Sequence, residues 1–595
     1  MEQSNIKFNK NLNRISNYFS KPQNLILLIL GILLSIFTIA PIITIIIDAF
    51  SVHIGTVETQ LAGKLQGFTI LNFVDLFTGI LREKNLYTPL FNTLLLSVLS
   101  SLISLLFGGL VAYLITRTNL KYKRYISSIF IFTYIMPQWT LAMVWRNLFN
   151  SNLITGGANG LLVALTKIAM PKWWCIGLFP SAIVLGLHYA PFAYILIGGI
   201  FKNMDANLEE AATILNTPKW KIFFRVTLPM VTPAVLSTIL LVFSSAMGSY
   251  PVPHYLKYTT LSTRYVEINA QRPAQASILS IIMMLIGILI LTINQISTSG
   301  RKSYTTVTGK SGQASVVNLG KIGRYLMAII IIIITFFTSI YPIIAFSLET
   351  FLPNPGDYSG FTWKWWLTSN AGGESGMYGN LGLLYNTEIW KAFLGTLKVA
   401  ISCSLLAGTI GLLVGYAVSK NRKSKWASYV NNIAFLPYLL PSLAVGAAYF
   451  VFSNQLKLWG TLTILIIVGT IKYIPFASRS SLSAMMQLSN EIEEAAFIQN
   501  VPWHKRMLRI MIPIQKSSIL SGYLLPFITS MRELTLFMML VPQSMIITTL
   551  LDYYDEMGLY AISSGINLIL IIFILISNWA ANKITGASLD KGIGG

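Results

Sequence analysis

Two stretches of this 595-residue chain carry one pattern, 284 residues apart. The first runs Glu210-Ala211-Ala212, Asn216, Pro218, Arg225 and Leu228-Pro229. The second runs Glu494-Ala495-Ala496, Asn500, Pro502, Arg509 and Ile512-Pro513. Upstream the register holds, with Tyr189-Ala190-Pro191-Phe192-Ala193 against Tyr473-Ile474-Pro475-Phe476-Ala477. A spacing kept through apolar and polar segments alike marks an internal duplication, and a period this long makes the repeated unit half a protein. Whatever one half folds into, the other must fold into as well.

What the halves fold into follows from where the apolar residues fall. Leu25 to Ile47 and Ile329 to Ile344 are near-continuous apolar runs, the length that crosses a bilayer as a helix. Only 11% of the chain is charged, less than half the share of roughly 25% in soluble proteins. The sequence therefore predicts an all-α membrane protein of about twelve spans, six per half: 25–47, 90–115, 126–148, 180–201, 228–250 and 277–296, then 323–347, 392–419, 427–453, 461–479, 513–541 and 562–582. Pro137, Pro437 and Pro441 interrupt two of them, which membrane helices tolerate when neighbours satisfy the freed carbonyls. An even number of spans per half makes the repeats parallel and places a pathway on the axis between them.

A net charge of +22 raises the question of nucleic acid, and its distribution answers it. Lys7, Lys10, Arg14 and Lys21 precede the first span, Arg117, Lys121, Lys123 and Arg124 follow the second, and Lys420, Arg422, Lys423 and Lys425 follow the eighth. With both termini in the cytoplasm these all fall on one side, the positive-inside pattern. The bilayer, and not nucleic acid, is the partner of this charge, and both Glu-Ala-Ala segments are expected to be cytoplasmic. The first apolar run is about 23 residues with no small-residue cleavage site after it, so it is read as a span and not a signal peptide. Two cysteines, Cys175 and Cys403, make neither a disulfide framework nor a thiolate metal site.

Residues 297–320 are rich in Ser, Thr, Gly and Lys without apolar periodicity, which predicts a cytoplasmic linker. The division is then a first transmembrane domain at 1–296, the linker at 297–320, and a second transmembrane domain at 321–595. Gly309-Lys310-Ser311 ends like a phosphate-binding loop, but Tyr304 stands where the first Gly is required and no strand precedes it. It is read as linker.

From Asp205, read as the N-cap, to Arg225, the pattern predicts a short helix with Leu208, Ala211, Ala212 and Leu215 as its apolar stripe. Asn216-Thr217-Pro218 breaks it, and a basic amphipathic helix returns to the membrane. The second copy has the same design. Glu-Ala-Ala, three residues, Gly, eleven residues, then an apolar residue and Pro is the coupling segment of permease subunits in binding-protein-dependent ATP-binding-cassette importers, and this chain resembles it twice. Asn216 and Asn500 stand where that family has Gly, and Asn is the next most tolerant residue of the left-handed turn that ends a helix. The resemblance implies the type I importer fold, with ATP hydrolysed on two copies of a separate ATPase subunit and substrate delivered by one external binding protein. It assigns the coupling role to Glu210, Ala211, Ala212, Asn216, Arg225 and Pro229, and to Glu494, Ala495, Ala496, Asn500, Arg509 and Pro513. The chain itself needs no cofactor and is not an enzyme. Its location would be the bacterial inner membrane. The alternative reading is that both Glu residues are ordinary solvated residues of connecting loops.

Intramembrane charges are costly and face cavities or partners. His188 and Lys472 are repeat equivalents, each followed by a shared Tyr (Tyr189, Tyr473), and Arg532-Glu533 lies in the eleventh predicted span. Each is either a pathway residue or a paired structural charge. No His, Cys, Asp and Glu cluster has metal-ligand spacing. Ser530-Met531-Arg532-Glu533-Leu534, with Tyr553 and Gly558, resembles the end of fused twelve-span ferric iron permeases, as do Phe68-Thr69-Ile70-Leu71-Asn72-Phe73 and Gly248-Ser249-Tyr250-Pro251-Val252-Pro253. That resemblance implies ferric iron as substrate. Neighbouring branches carry polyamines, thiamine, 2-aminoethylphosphonate and sulfate. A pathway bearing Lys472, Arg532 and His188 suits an anion, or ferric iron with an anionic ligand, better than a bare cation. A secondary transporter driven by an ion gradient would also have twelve spans, but would leave the two matched polar helices without a use.

Overall fold

Apolar runs long enough to cross a bilayer close their own backbone hydrogen bonds by becoming helices, and this governs the computed structural model, which describes residues 21–203, 207–299, 317–369 and 381–585. The principal helices of the first half are α1 (Pro22–Ala49), α2 (Thr88–Arg117), α3 (Lys123–Ile135), α4 (Gln138–Phe149), α5 (Leu178–Asn203), α6 (Asn207–Ile214), α7 (Leu228–Met247) and α8 (Pro273–Ser299). Those of the second are α9 (Gly320–Phe351), α10 (Thr387–Lys420), α11 (Lys425–Leu439), α12 (Ser442–Gln455), α13 (Leu462–Gln487), α14 (Asn490–Ile498), α15 (Lys516–Met531) and α16 (Tyr560–Thr585). Each helix of one half has its counterpart eight places on. Asp205, Gly309-Lys310-Ser311 and the basic residues Lys7, Lys10 and Arg14 lie outside the described residues.

Among the described residues nine helices are long and apolar enough to span, and the pairs α3–α4 and α11–α12 pass the same test together while bent by 95° and 103°. These occupy eleven of the twelve expected places. The twelfth, 513–541, differs. Its helix α15 is 16 residues long and stops at Arg532, and Glu533 turns back to accept the Leu536 amide at 3.0 Å. A side chain that serves the backbone locally competes with helix continuation. The counterpart α7 stops at the equivalent Gly248.

Proline shapes four helix entrances. One-turn π segments at Glu83–Tyr87, Phe223–Thr227, Phe336–Ile340 and Met507–Met511 each precede a residue and then Pro89, Pro229, Pro342 or Pro513. Proline has no N–H for the carbonyl four residues back and its ring crowds that carbonyl. The turn widens instead, closing with Leu228 N–H on the Phe223 carbonyl and Ile512 N–H on the Met507 carbonyl. The Arg225 and Arg509 segments thus share one backbone irregularity.

Small residues let the inner helices touch. A Cβ on Gly108 of α2 would lie 2.1 Å from the Ala190 carbonyl of α5, and one on Gly411 of α10 would lie 2.4 Å from Ala477 Cβ of α13. Such backbone approach is how membrane helices gain van der Waals contact where lipid provides no hydrophobic drive.

The first helix of each half packs on the other half. The Trp426 indole of α11 donates to the Leu27 carbonyl of α1 at 3.1 Å, and Ser35 pairs with Tyr429 at 2.7 Å. Pro41 deprives the Phe37 carbonyl of its helical donor, and the Tyr449 hydroxyl of α12 supplies one. Reciprocally, Thr338 and Ser339 of α9 hydrogen-bond Thr133 of α3 at 3.0 and 2.7 Å.

Candidate functional site

Tyr134-Ile135-Met136-Pro137 and Tyr438-Leu439-Leu440-Pro441 are equivalent four-residue stretches, and each ends a helix by placing proline next. A helix end leaves carbonyls unpaired and concentrates partial negative charge, so two bent spans present two negative backbone ends in the middle of the molecule. At the second, Lys472 Nζ donates to the Pro437 carbonyl at 2.9 Å and the Leu440 carbonyl at 2.7 Å. At the first, Arg532 reaches across from the other half to the carbonyls of Tyr134 and, at 3.1 Å, Met136. Met136 and Leu440 are equivalents. His188, the counterpart of Lys472, sets its ring against Tyr134, with 6.0 Å between centroids. Position 248, the counterpart of Arg532, is glycine because a Cβ there would come within 2.9 Å of Pro441.

Between these breaks lies a cavity of about 180 Å³. His188, Tyr189, Lys472, Tyr473, Arg532 and Glu533, the six residues singled out in the sequence, all reach its wall. They share it with two repeat-related aromatic pairs, Tyr134 with Phe192 (5.9 Å between centroids) and Tyr438 with Phe476 (5.1 Å). Tyr189 donates to Gln138 at 3.3 Å and Tyr473 to Glu533 at 2.7 Å. The cavity's two cations are thus directed at main-chain carbonyls and its carboxylate at a phenol and an amide, which weakens the electrostatic case for an anionic passenger. Lys472→Met is expected to lower thermal stability by about 1–3 kcal/mol, the cost of stranding buried acceptors. Lys472→Arg should retain most of it, as read by thermal unfolding of the purified protein.

On one face the halves are latched by side chains. Arg146 of α4 holds Asp555 through two bonds of 2.7 and 2.6 Å, the Tyr255 hydroxyl donates to Asp552 at 2.6 Å, and His254 stands 3.4 Å from Glu556. Burial works against the charge of His254, but hydrogen bonding to Glu556 and the nearby Asp552 and Asp555 outweigh it and raise its pKa.

The opposite face carries the repeated helices. α6 and α14 end in the same turn: Asn216 and Asn500 are left-handed, with φ of 52° and 57°. The Thr217 amide reaches the Ala212 carbonyl and the Val501 amide the Ala496 carbonyl, both at 3.1 Å. Only a residue tolerant of positive φ ends a helix this way. Glu210, Arg225 and Pro229 are exposed, as are Glu494, Arg509 and Pro513. Ala211, Asn216, Ala495 and Asn500 are exposed too, with Ala212 half-buried and Ala496 buried. A surface of this composition, on two short helices presented alike, can dock a partner.

Sequence reading gave no role to Gln138 or the aromatic pairs of the cavity, nor to Glu209 and Glu493, which bond inward to Arg117 and Lys420. The recurring Tyr-x-x-Pro would have found the first group.

The family described as binding-protein-dependent transport system inner membrane component matches residues 104–302 and 407–585. Among individual proteins, the chain is 23% identical over 415 residues to a ferric transport system permease protein of Actinobacillus pleuropneumoniae, covering 68% of this chain and 58% of that one. It is 24% identical over 381 residues to a putative ferric transport system permease protein of Haemophilus influenzae, covering 62% and 57%. A spermidine/putrescine transport system permease protein of the same organism is 27% identical over 197 residues, covering 31% and 65%. The match thus spans somewhat over half the length of the two ferric relatives.

Proposed function

The chain belongs to the family of binding-protein-dependent transport system inner membrane components, and from that membership we propose that it is the fused permease of an ATP-binding-cassette importer that moves ferric iron inward. It is an integral inner-membrane protein. The observation that carries the reading is that each family-matched half has its Glu-Ala-Ala helix at the same place, ended by the same left-handed Asn. Two equivalent docking helices in one polypeptide fit two ATPase subunits, and the cavity between the halves, lined by both, fits a path on their common axis. The latch face then meets one external binding protein, and the Glu-Ala-Ala face and both termini lie in the cytoplasm, where the positive-inside distribution puts the basic residues. In this reading the unit boundaries are 1–296, 297–320 and 321–595. Coupling falls to Glu210, Glu494 and the residues that shape their helices, and His188, Tyr189, Lys472, Tyr473, Arg532 and Glu533 border the path.

Ferric iron rests on what the two relatives' names say they transport, together with the resemblance of the Arg532-Glu533 segment. Deleting the transporter is expected to impair growth when ferric iron is the sole iron source and to lower uptake of radiolabelled ferric iron, leaving spermidine, thiamine and 2-aminoethylphosphonate uptake unchanged. Loss of polyamine uptake with intact iron uptake would overturn the substrate.

A further inference from the structure

Immediately before each outward Glu stands another carboxylate, and it faces inward. Glu209 bonds Arg117 and takes the Thr227 hydroxyl at 2.7 Å. Glu493 takes Lys420 at 2.6 Å and the Tyr416 hydroxyl at 2.9 Å, with Arg506 at 3.9 Å. Glu209 and Glu493 are 284 apart, while Arg117 and Lys420 share the 303-residue register of Tyr113 and Tyr416. The duplication has therefore kept both ends of the pair, one on each of two different elements. Arg117 and Lys420 are the last residues of α2 and α10, helices of 30 and 34 residues. At their other ends these helices meet the latch region: Asn92 donates to the Thr259 carbonyl at 2.8 Å, and Asn386 to the Tyr554 hydroxyl at 3.0 Å.

We propose that Glu209–Arg117 and Glu493–Lys420 are the joints through which movement of the two Glu-Ala-Ala helices is passed to α2 and α10, making Glu209 and Glu493 positioning residues for transport. The proposal rests on the coupling role given above to Glu210 and Glu494. A helix of eight or nine residues is marginal by itself, so what fixes α6 and α14 is what they are attached to. Arg117 is 1% exposed, and a buried charge that would be stranded by separation resists it far more than a surface pair. A rigid helix of 30 residues then spans about 45 Å, so displacement at one face reaches the other without an intervening flexible segment. The blander account is that Glu209 and Glu493 only favour the helix N-terminus by their charge, and it makes no use of Lys420.

The test uses the full chain in lipid nanodiscs and in proteoliposomes with the ATPase that co-purifies with it, the external binding protein, and radiolabelled ferric iron as the transported probe. Glu493→Gln and Lys420→Gln are each expected to speed hydrogen exchange of 490–498 about tenfold and to lower substrate taken up per ATP hydrolysed about fivefold, with the double variant no worse than either single one. The ATPase stays bound throughout. Glu209→Gln should do the same to 207–214. Losses that multiply in the double variant, or exchange that does not respond to Lys420→Gln, would overturn the joint in favour of the helix-charge account. Failure of the unaltered chain to bind any ATPase would instead overturn the coupling reading, and with it the transport role of the pair, while the exchange response would still report the joint itself.

Discussion

Alanine at both Glu210 and Glu494 is expected to cut uptake by about a hundredfold or more, and at either one by about tenfold, if each contributes one charge-assisted contact of roughly 1.5–3 kcal/mol to a partner. Membrane abundance should stay near that of the unaltered chain. The reason lies in the division of labour on each helix. Glu209 and Glu493 tie it inward and Asn216 and Asn500 end it, whereas Glu210 and Glu494 are exposed and free to meet another chain. Uptake into whole cells, with an immunoblot for abundance and cross-linking for ATPase docking, separates loss of contact from loss of protein. Normal uptake by the double variant would remove the coupling role.

The largest effect on folding is expected from a side chain at Gly108 or Gly411. At Gly108 the first carbon would sit 2.1 Å from the Ala190 carbonyl oxygen and 2.7 Å from Ala193 Cβ. At Gly411 it would meet Ala477 Cβ at 2.4 Å and the Ser478 amide nitrogen at 2.8 Å. Backbone atoms in a packed helix cannot yield as a side-chain tip can, so Gly108→Val and Gly411→Val should exceed the usual overpacking cost of about 1–3 kcal/mol. Folded protein recovered from the membrane should fall by about tenfold or more. Gly109 is the control. Its nearest neighbour would be Ile197 Cδ1 at 3.6 Å, so Gly109→Ala should be neutral or gain up to about 1 kcal/mol of helix propensity. Equal losses at Gly108 and Gly109 would show that the close approach is not what matters.

Periodicity and spacing made much of this architecture legible. Apolar length located nine spanning helices and two bent helix pairs among the described residues, and the fixed offsets located the two repeated helices and their Asn-ended turns. What they left out has physical causes. The run after Arg532 is apolar enough to pass for a helix, but Glu533 takes the Leu536 amide, a local bond no hydropathy window registers. Lys472 and Arg532 were visible as intramembrane charges, yet their partners are main-chain carbonyls, and a carbonyl looks the same at every residue. Glu209 escaped because it stands beside a more conspicuous Glu, and what sets it apart is its contacts with Arg117, 92 residues away, and with Thr227.

The exchange of α1 and α9 between the halves has a consequence for biosynthesis. Leu27 finds the Trp426 indole 399 residues later in the chain. At a translation rate of about 5–20 residues per second, α1 waits roughly 20–80 s in the bilayer before α11 exists to receive it. Meanwhile the Phe37 carbonyl, orphaned by Pro41, has no Tyr449. The newborn first half is thus an unfinished assembly: its opening helix is tied to α8 by Ser277, which donates to Asp48 at 2.6 Å, but the face that meets α11 and α12 stays uncovered by protein until the second half is made. Joining the two halves in one polypeptide guarantees that the awaited partner arrives, and arrives beside it.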